Sequence, residues 1–517
     1  SNDYNFNHIL TSQISRVEIL KGTQSSVYGS GAIGGTINIT TKKGEEGFHK
    51  NASYNTASHG THNLSVSLSG ADENDNYFIG LERFQTKGIS AMTHNDEKDR
   101  YRNNSLVGNY SRAFTDKIKF ESSLRAAETY LQYDAESGTS SYDHNEEADA
   151  LESSSSIALV YEPNKKFANK FTLGKTLIKR KYDAATGSAN TVADNYRGDR
   201  HVMMYTGNYN FNLDNSLVVG LEREDNQIGY NKNMVGNQFS AAYITSSYFD
   251  YQSRITNNLY ATIGSRFDEH SFVGNEDSHR ATLAYLFDDK STKIKSSYGT
   301  GFRFPSLFEQ YYVYAANAKS LGNQVAEKSE SFDIGIEKSF SNLGLSFDVS
   351  YFNIKYRDVL EGWKDGDSSG LAYTTQNMPG TVTSEGVELA SKWKASNLLD
   401  FGFNYTWTST YDGAEQDDPN KNDNYYDARL VRVPRHLVNL ITNFEVPGYK
   451  DLNLTLKTKW AGNARDYGNG NRTFRDESND DYLVNDLSIR YNLMDTYNLF
   501  FDINNILDEN YETARDY

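Results

Sequence analysis

Cysteine is absent from the 517 residues, so neither a disulfide nor a thiolate metal site can form, and the redox compartment is left open. There is no run of about 18 apolar residues, which excludes a transmembrane helix. Hydrophobic residues make up only 37%, below the roughly 45–50% of a typical soluble domain, and a soluble chain of this length would show a richer core. Basic charge is in deficit: 52 Lys and Arg face 69 Asp and Glu, and a formal net charge of −17 argues against nucleic acid as a partner. The ten histidines are scattered, which disfavours a dedicated transition-metal site. No Ser-His-Asp pattern or nucleophile elbow appears, so the chain is not expected to be an enzyme. The opening "SNDYNFNHIL" has neither a charged nor an apolar segment of a signal peptide, and the true N-terminus is expected upstream of Ser1.

Aromatics are abundant instead. Tyr 38 and Phe 27 bring the aromatic share to 13%, too rich for disorder. An aromatic-rich, polar, long chain fits a transmembrane β-barrel, with a thin apolar skin, aromatic girdles and a polar interior. Period-2 alternation supports this. In "LDFGFNYTWTSTY", Leu399, Phe401, Phe403, Tyr405 and Trp407 share one face, and Asp400, Gly402, Asn404 and Thr406 the other. "GLSFDVSYF", "NLSVSLSG" and "NLTLKTKW" repeat the pattern. About 21 such segments of roughly 9–15 residues follow residue 47, long enough to cross a bilayer at a tilt.

The connections alternate in length. Short ones fall at 113–116, 162–166, 288–291, 341–343, 447–451 and 494–496; long ones at 88–101, 132–150, 182–198, 303–326, 412–433 and 465–480. Short turns on one side and long loops on the other mark an outer-membrane barrel, although two early hairpins are short at both ends. A propeller would repeat a motif every ~40–50 residues, and none is found. The expected fold is all-β: an antiparallel transmembrane barrel of about 22 strands whose closing strand lies beyond the terminal "DENYETARDY". A barrel that wide needs a plug. Residues 1–43 lack the barrel pattern and are assigned to the end of one; residues 44–517 are assigned to the barrel.

The stretch "ISRVEILKGTQSSVYGSGAIGGTINITTKKG" (14–44) contains G-x-G-x-x-G at Gly29, Gly31 and Gly34. A dinucleotide site needs that motif to open a helix, but "TINITTK" is β-branched and reads as a strand. The stretch instead resembles the end of the plug domain of TonB-dependent outer-membrane transporters. The shared positions are Arg16, Glu18, Gly22, Tyr28, Gly29, Gly34, Gly35 and Asn38, with Thr23 where the family has Pro. The glycines are expected to serve close packing inside the barrel. "SSYGTGFRFPSLFEQYY", the frame of Asn323, Glu327 and Ser329, "SEGVELASKW", "VRVPRHLVNL" and "INNILDENYE" extend the likeness over nearly the whole chain. The resemblance implies a monomeric transporter in Gram-negative outer-membrane lipid, with TonB as partner through a motif upstream of Ser1.

"QTKGISAMTHNDEKDRYRNNSL" and "NYETARDY" are similar to segments of the cobalamin-receptor branch. Acidic loops after Tyr133 and Tyr182 carry Asp134, Glu136, Asp143 and Asp149, then Asp183 and Asp194. By residue chemistry alone such loops are either solvated or able to supply the oxygens calcium needs. The resemblance implies calcium as cofactor there, ordering the loops for cobalamin. Tyr133, Tyr182, Tyr311, Tyr312 and Tyr314 are candidate contacts for a large flat ligand. The competing cargo is an iron chelate, as a ferric siderophore or haem, but the long loops hold few histidines to ligate haem iron (His94, His144). An adhesin or non-transporting surface receptor would have no use for a plug.

Overall fold

The computed structural model describes residues 5–90, 98–133, 146–183, 194–232, 236–311, 324–364, 373–413, 429–449, 451–466, 477–493 and 497–514. The Gly-rich stretch folds as a hairpin. Its strands Ile14–Lys21 (β1) and Gly35–Thr41 (β2) pair antiparallel, with Val17 opposite Ile39 and Ile19 opposite Ile37. Between them a single helical turn, Ser25–Tyr28 (α1), precedes the glycines rather than following them. Within the hairpin, no helix starts at the G-x-G-x-x-G loop.

From Gly47–Ala57 to Tyr497–Ile503, twenty-one strands form one closed barrel around this hairpin. Each strand after the first pairs antiparallel with the one before it in the chain, as in the registers of the first two strands and of the Asp194–Asn210 and Asn215–Lys232 pair. Because the strands reverse direction in turn, every connection read as short lies at one end and every one read as long lies at the other. Three further connections at the long-loop end are short, those after Ala57, Lys232 and His270. Two small ribbons stand outside the ring at that end: Leu360–Lys364 with Tyr373–Asn377, and Arg465–Asp466 with Glu477–Ser478.

The burial is inside-out relative to a soluble protein. Asn103, Thr129, Glu152, Arg266, Asp268 and Ser278 are buried towards the lumen, while Leu124, Ile157, Leu159, Phe171, Leu173 and Leu221 are exposed on the outer wall. This is the polarity a lipid-facing barrel requires, and no helix among the described residues is long and apolar enough to cross a membrane.

Several strands exceed the ~9–11 residues that cross a bilayer. Glu146–Asn164 and Gly236–Arg254 have 19 residues each, and Phe167–Asp183 and Asp194–Asn210 have 17 each. The connections read as 132–150 and 182–198 are therefore shorter than expected, and Asp149, Asp183 and Asp194 sit on strands, not in loops. Above the lipid a strand no longer needs an apolar face, so the alternation that reveals it fades.

Candidate functional site

The plug hairpin is seated by contacts along its length. Asn109 Nδ2 donates to Thr41 Oγ1 and to Lys42 O, both at 2.7 Å. Thr23 N donates to Ser331 Oγ (3.0 Å), and Lys21 Nζ reaches Glu388 at 2.5 Å. At the tip, Gly31 N donates to Phe302 O (3.1 Å), and Phe304 N donates to Ser30 Oγ (3.0 Å). Gly29, at φ +77°, lies so close to the barrel that a Cβ there would come within 2.8 Å of Arg266 Nη2; at Gly34 a Cβ would come within 2.8 Å of Tyr356 Oη. Glu18 pairs with Arg16 and accepts from Asn38 Nδ2 (3.1 Å), which ties β1 to β2.

On the long-loop side of Tyr28 and Ser30 lies a cavity of about 620 Å³. Its wall comes from the adjacent strands Asp194–Asn210, Asn215–Lys232, Gly236–Arg254 and Leu259–His270. Its roof is Phe304 to Phe308, leading into the short helix Leu307–Tyr311.

Alternation along these strands sends Arg200, Glu222, Glu224, Asn226, Ser246, Arg266 and Asp268 inward. Arg266 is held from two sides: Nε donates to both Asp268 oxygens at 3.0 Å, and Nη2 to Glu222 Oε2 at 3.2 Å. Ser246 Oγ donates to Asp268 at 2.6 Å, and the guanidinium carbon stands 5.3 Å from the Tyr248 ring centroid. Arg200 pairs with Glu224, which also accepts from Asn226 Nδ2 at 2.7 Å. The inward charges are thus three carboxylates, Glu222, Glu224 and Asp268, against two guanidiniums. Asp199, also at the lining, turns to the outer face, where Arg197 Nε holds it at 2.6 Å.

His270 Nδ1 accepts from the backbone N–H of Phe272 (3.1 Å) and Val273 (3.2 Å). That assigns the proton to Nε2, so the ring offers a donor and no lone pair for a metal. The ring also packs on Phe304, centroids 4.9 Å apart.

Above the cavity runs an aromatic chain. The Tyr133 and Tyr182 rings meet edge-on at 6.3 Å, Tyr182 meets Tyr196 at 5.9 Å, and Tyr196 meets Tyr230 at 6.4 Å and Phe308 at 6.1 Å. Two tyrosines singled out in the sequence are therefore neighbours, joined by Tyr196, Tyr230 and Phe308, which sequence reading missed. Tyr311 ends the roof helix; its side chain, Tyr312 and Tyr314 lie outside the described residues.

The calcium expectation fares differently. Asp134, Glu136 and Asp143 lie outside the described residues. The other three are divided by strand alternation. Ala148, Ala150 and Glu152 are buried in the lumen, so Asp149 faces outward. Lys181 stands opposite Asp149, and its Nζ holds Asp183 at 2.5 Å on that same outer face. Asp194 stands opposite Tyr182 on the lumen face. These three carboxylates do not share a site and do not fit a common calcium ion, and no cluster of three or more possible ligands occurs among the described residues.

One serine–histidine–aspartate run does exist in space, contrary to the sequence reading. Ser265 Oγ is 2.9 Å from His279 Nδ1, and His279 Nε2 is 2.6 Å from Asp277. It lies on the outer wall, with Ser265 buried in a strand paired on both edges. Such a strand has no N–H pair to spare for an oxyanion.

Comparisons with known proteins match nearly the whole chain. The model for the TonB-dependent receptor plug domain matches residues 1–36, and the model for the TonB-dependent receptor-like β-barrel matches residues 38–506. The vitamin B12 transporter BtuB of Vibrio cholerae is 24% identical over 524 residues, covering 99% of this chain and 78% of the relative. The probable TonB-dependent siderophore receptor PirA of Acinetobacter baumannii is 20% identical, covering 97% and 77%. Among solved structures, the ferric enterobactin receptor PfeA of Pseudomonas aeruginosa superposes with a TM-score of 0.82 at 19% identity, covering 98% of this chain and 81% of that one. The likeness to PfeA carries the fold alone.

Proposed function

This chain belongs to the TonB-dependent receptor family, and from that premise we propose that its cargo is cobalamin, bound in the lumen cavity. Membership makes it a Gram-negative outer-membrane transporter of a large substrate. The observation that carries the cobalamin reading is the charge balance of the cavity. Three inward carboxylates face two guanidiniums, interspersed with Asn226, Ser246, Ser154 and Thr176. A corrinoid presents a rim of neutral amide arms, each a donor and an acceptor, and a lining of alternating donors and acceptors suits it. A ferric catecholate is anionic and favours an excess of cations. The whole-chain likeness to a vitamin B12 transporter supports the same reading.

In this reading cargo enters between the long loops, meets the tyrosine chain, and rests on the plug loop at Tyr28 and Ser30. It passes when the plug rearranges. The test is equilibrium binding of cyanocobalamin and of a ferric catecholate to the full-length protein in detergent. Tight binding of the corrinoid alone supports the reading, and the reverse order sinks it. Each titration is run with calcium and with a chelator. A gain in cobalamin affinity with calcium that Asp134→Ala abolishes would assign the ion to the segment of Asp134, Glu136 and Asp143.

A further inference from the structure

Arg266 has one nitrogen unaccounted for. Nε and Nη2 are spent on Asp268 and Glu222, but Nη1 is buried and has no hydrogen-bond partner among the described residues. The side chain is 3% exposed. A buried guanidinium N–H without an acceptor costs roughly 1–3 kcal/mol or more, so native proteins rarely leave one. This nitrogen belongs to a residue that lines the lumen cavity. The same guanidinium bears on the plug: its Nη2 lies against the Cα face of Gly29, in the loop whose Tyr28 and Ser30 line the cavity. The fork is pre-set, because Asp268, Glu222 and the Tyr248 ring fix its plane before any cargo arrives.

We propose that Arg266 is the residue through which the plug senses cargo: Nη1 donates to an oxygen acceptor on the cargo, an amide carbonyl or a carboxylate, while the Nη2 edge supports the plug loop at Gly29. The cargo half of this rests on the cavity being the binding site; the plug half does not. An acceptor that draws the guanidinium towards the cavity removes the surface on which Gly29 rests. Occupancy is thereby passed to the part of the plug that must move. Lysine in place of Arg266 keeps the charge but has no fork, so it cannot serve both contacts.

The experiment uses the full-length protein in detergent. Because the 517 residues contain no cysteine, Tyr28→Cys, at a position 47% exposed, gives one spin-labelling point in this region. Arg266→Gln alone would strand Asp268 and Glu222, so the working variant pairs it with Asp268→Asn, and Asp268→Asn alone is the control. Without cargo, the label at position 28 should become more mobile in the double variant than in the control; equal spectra overturn the plug contact. With cyanocobalamin, and with Tyr28 left in place, the double variant should bind at least about tenfold more weakly than the control, the value of a charged hydrogen bond. Labelled at position 28, it should also lose the change in label signal on saturation. Unchanged affinity overturns the cargo contact. If the parent protein binds no cobalamin, the cargo reading falls, and the cargo-free spectra still decide the plug contact.

Discussion

His8 of the plug and Glu152 of the barrel wall meet in a fully enclosed contact, Nδ1 to Oε1 at 3.1 Å, with each side chain 3% exposed. Around it Arg125 Nη2 donates to His8 O at 2.6 Å, Asn103 Nδ2 donates to the same oxygen at 3.2 Å, and Arg180 Nη2 stands 3.7 Å from Glu152. Glu152 thus stands between two guanidiniums and a plug imidazole.

Glu152→Gln removes that charge while keeping the shape, leaving Arg125 and Arg180 facing each other in the lumen. Breaking a buried pair from one side costs about 3–5 kcal/mol, and the partly exposed arginines put this case near the lower figure. The loss should fall on the seat of the plug, not on the barrel. Hydrogen exchange at residues 5–13 should accelerate strongly while the strand amides of the wall keep their protection. Unchanged exchange in that segment would show that the pair contributes nothing to the seat.

Gly29 and Gly31 offer an internal comparison. Both have positive φ, +77° and +93°, but a Cβ at Gly29 meets Arg266 whereas one at Gly31 meets nothing within 4 Å. Gly31→Ala should cost only backbone strain, about 1–3 kcal/mol. Gly29→Ala should cost that strain and also displace the guanidinium, making the plug the more protease-sensitive of the two. Equal sensitivity in the two variants would remove Arg266 from the account.

The barrel was legible because a lipid-facing strand must alternate. Leu399, Phe401, Phe403, Tyr405 and Trp407 announce one face of Leu399–Asp412 with no help from tertiary structure. The same rule explains what was misread. Beyond the bilayer both faces are polar, so 146–150, 182–183 and 194–198 look like loop although they are strand. Once they are strand, alternation separates Asp149 and Asp183 from Asp194. Arg266 gave no signal, since one charge on a lumen face is ordinary in a barrel; only its buried, unpartnered nitrogen and its contact with Gly29 single it out.

At the short-turn end, Asp289 organises the connection between Gly274–Leu286 and Thr292–Arg303. Lys338 Nζ donates to its Oδ2 at 2.8 Å, and the backbone N–H groups of Ser291 and Thr292 donate to Oδ1 at 2.9 and 3.0 Å. The lysine first, then the Ser291 amide and the Thr292 hydroxyl, hold the carboxyl well below its usual range. A depressed carboxylate stabilises the fold above its unfolded pKa of about 3.9, and that contribution is lost as pH falls through the lower folded value. Asp289→Asn should therefore speed exchange of the Ser291 and Thr292 amides by a constant factor from about pH 5 to 8, well above the unfolded pKa. A factor that varies across that window would mean that another group controls the turn.

The roof of the cavity is clamped by Arg303, whose Nη1 and Nη2 donate to the two oxygens of Glu309 at 2.9 and 3.0 Å. Its Nε pairs with Glu327, which in turn accepts from Leu360 N at 2.7 Å, so the fork joins the roof helix to the wall and to the neighbouring ribbon. Ser306 N also donates to Glu309 at 2.7 Å, closing the turn that carries Phe308 over Tyr196. Glu309→Gln breaks a two-pronged charged contact into a single neutral one and loosens the roof without touching the wall charges. Cargo should then leave faster, by about three- to tenfold, while the association rate changes little, because interface changes act mostly on dissociation. Glu327→Gln, which frees the wall end of the same fork, should do likewise and, combined with Glu309→Gln, add less than the product of the two effects. Rapid-mixing release of bound cargo measures all three; dissociation rates equal to the parent's would mean that the helix Leu307–Tyr311 is not what retains the cargo.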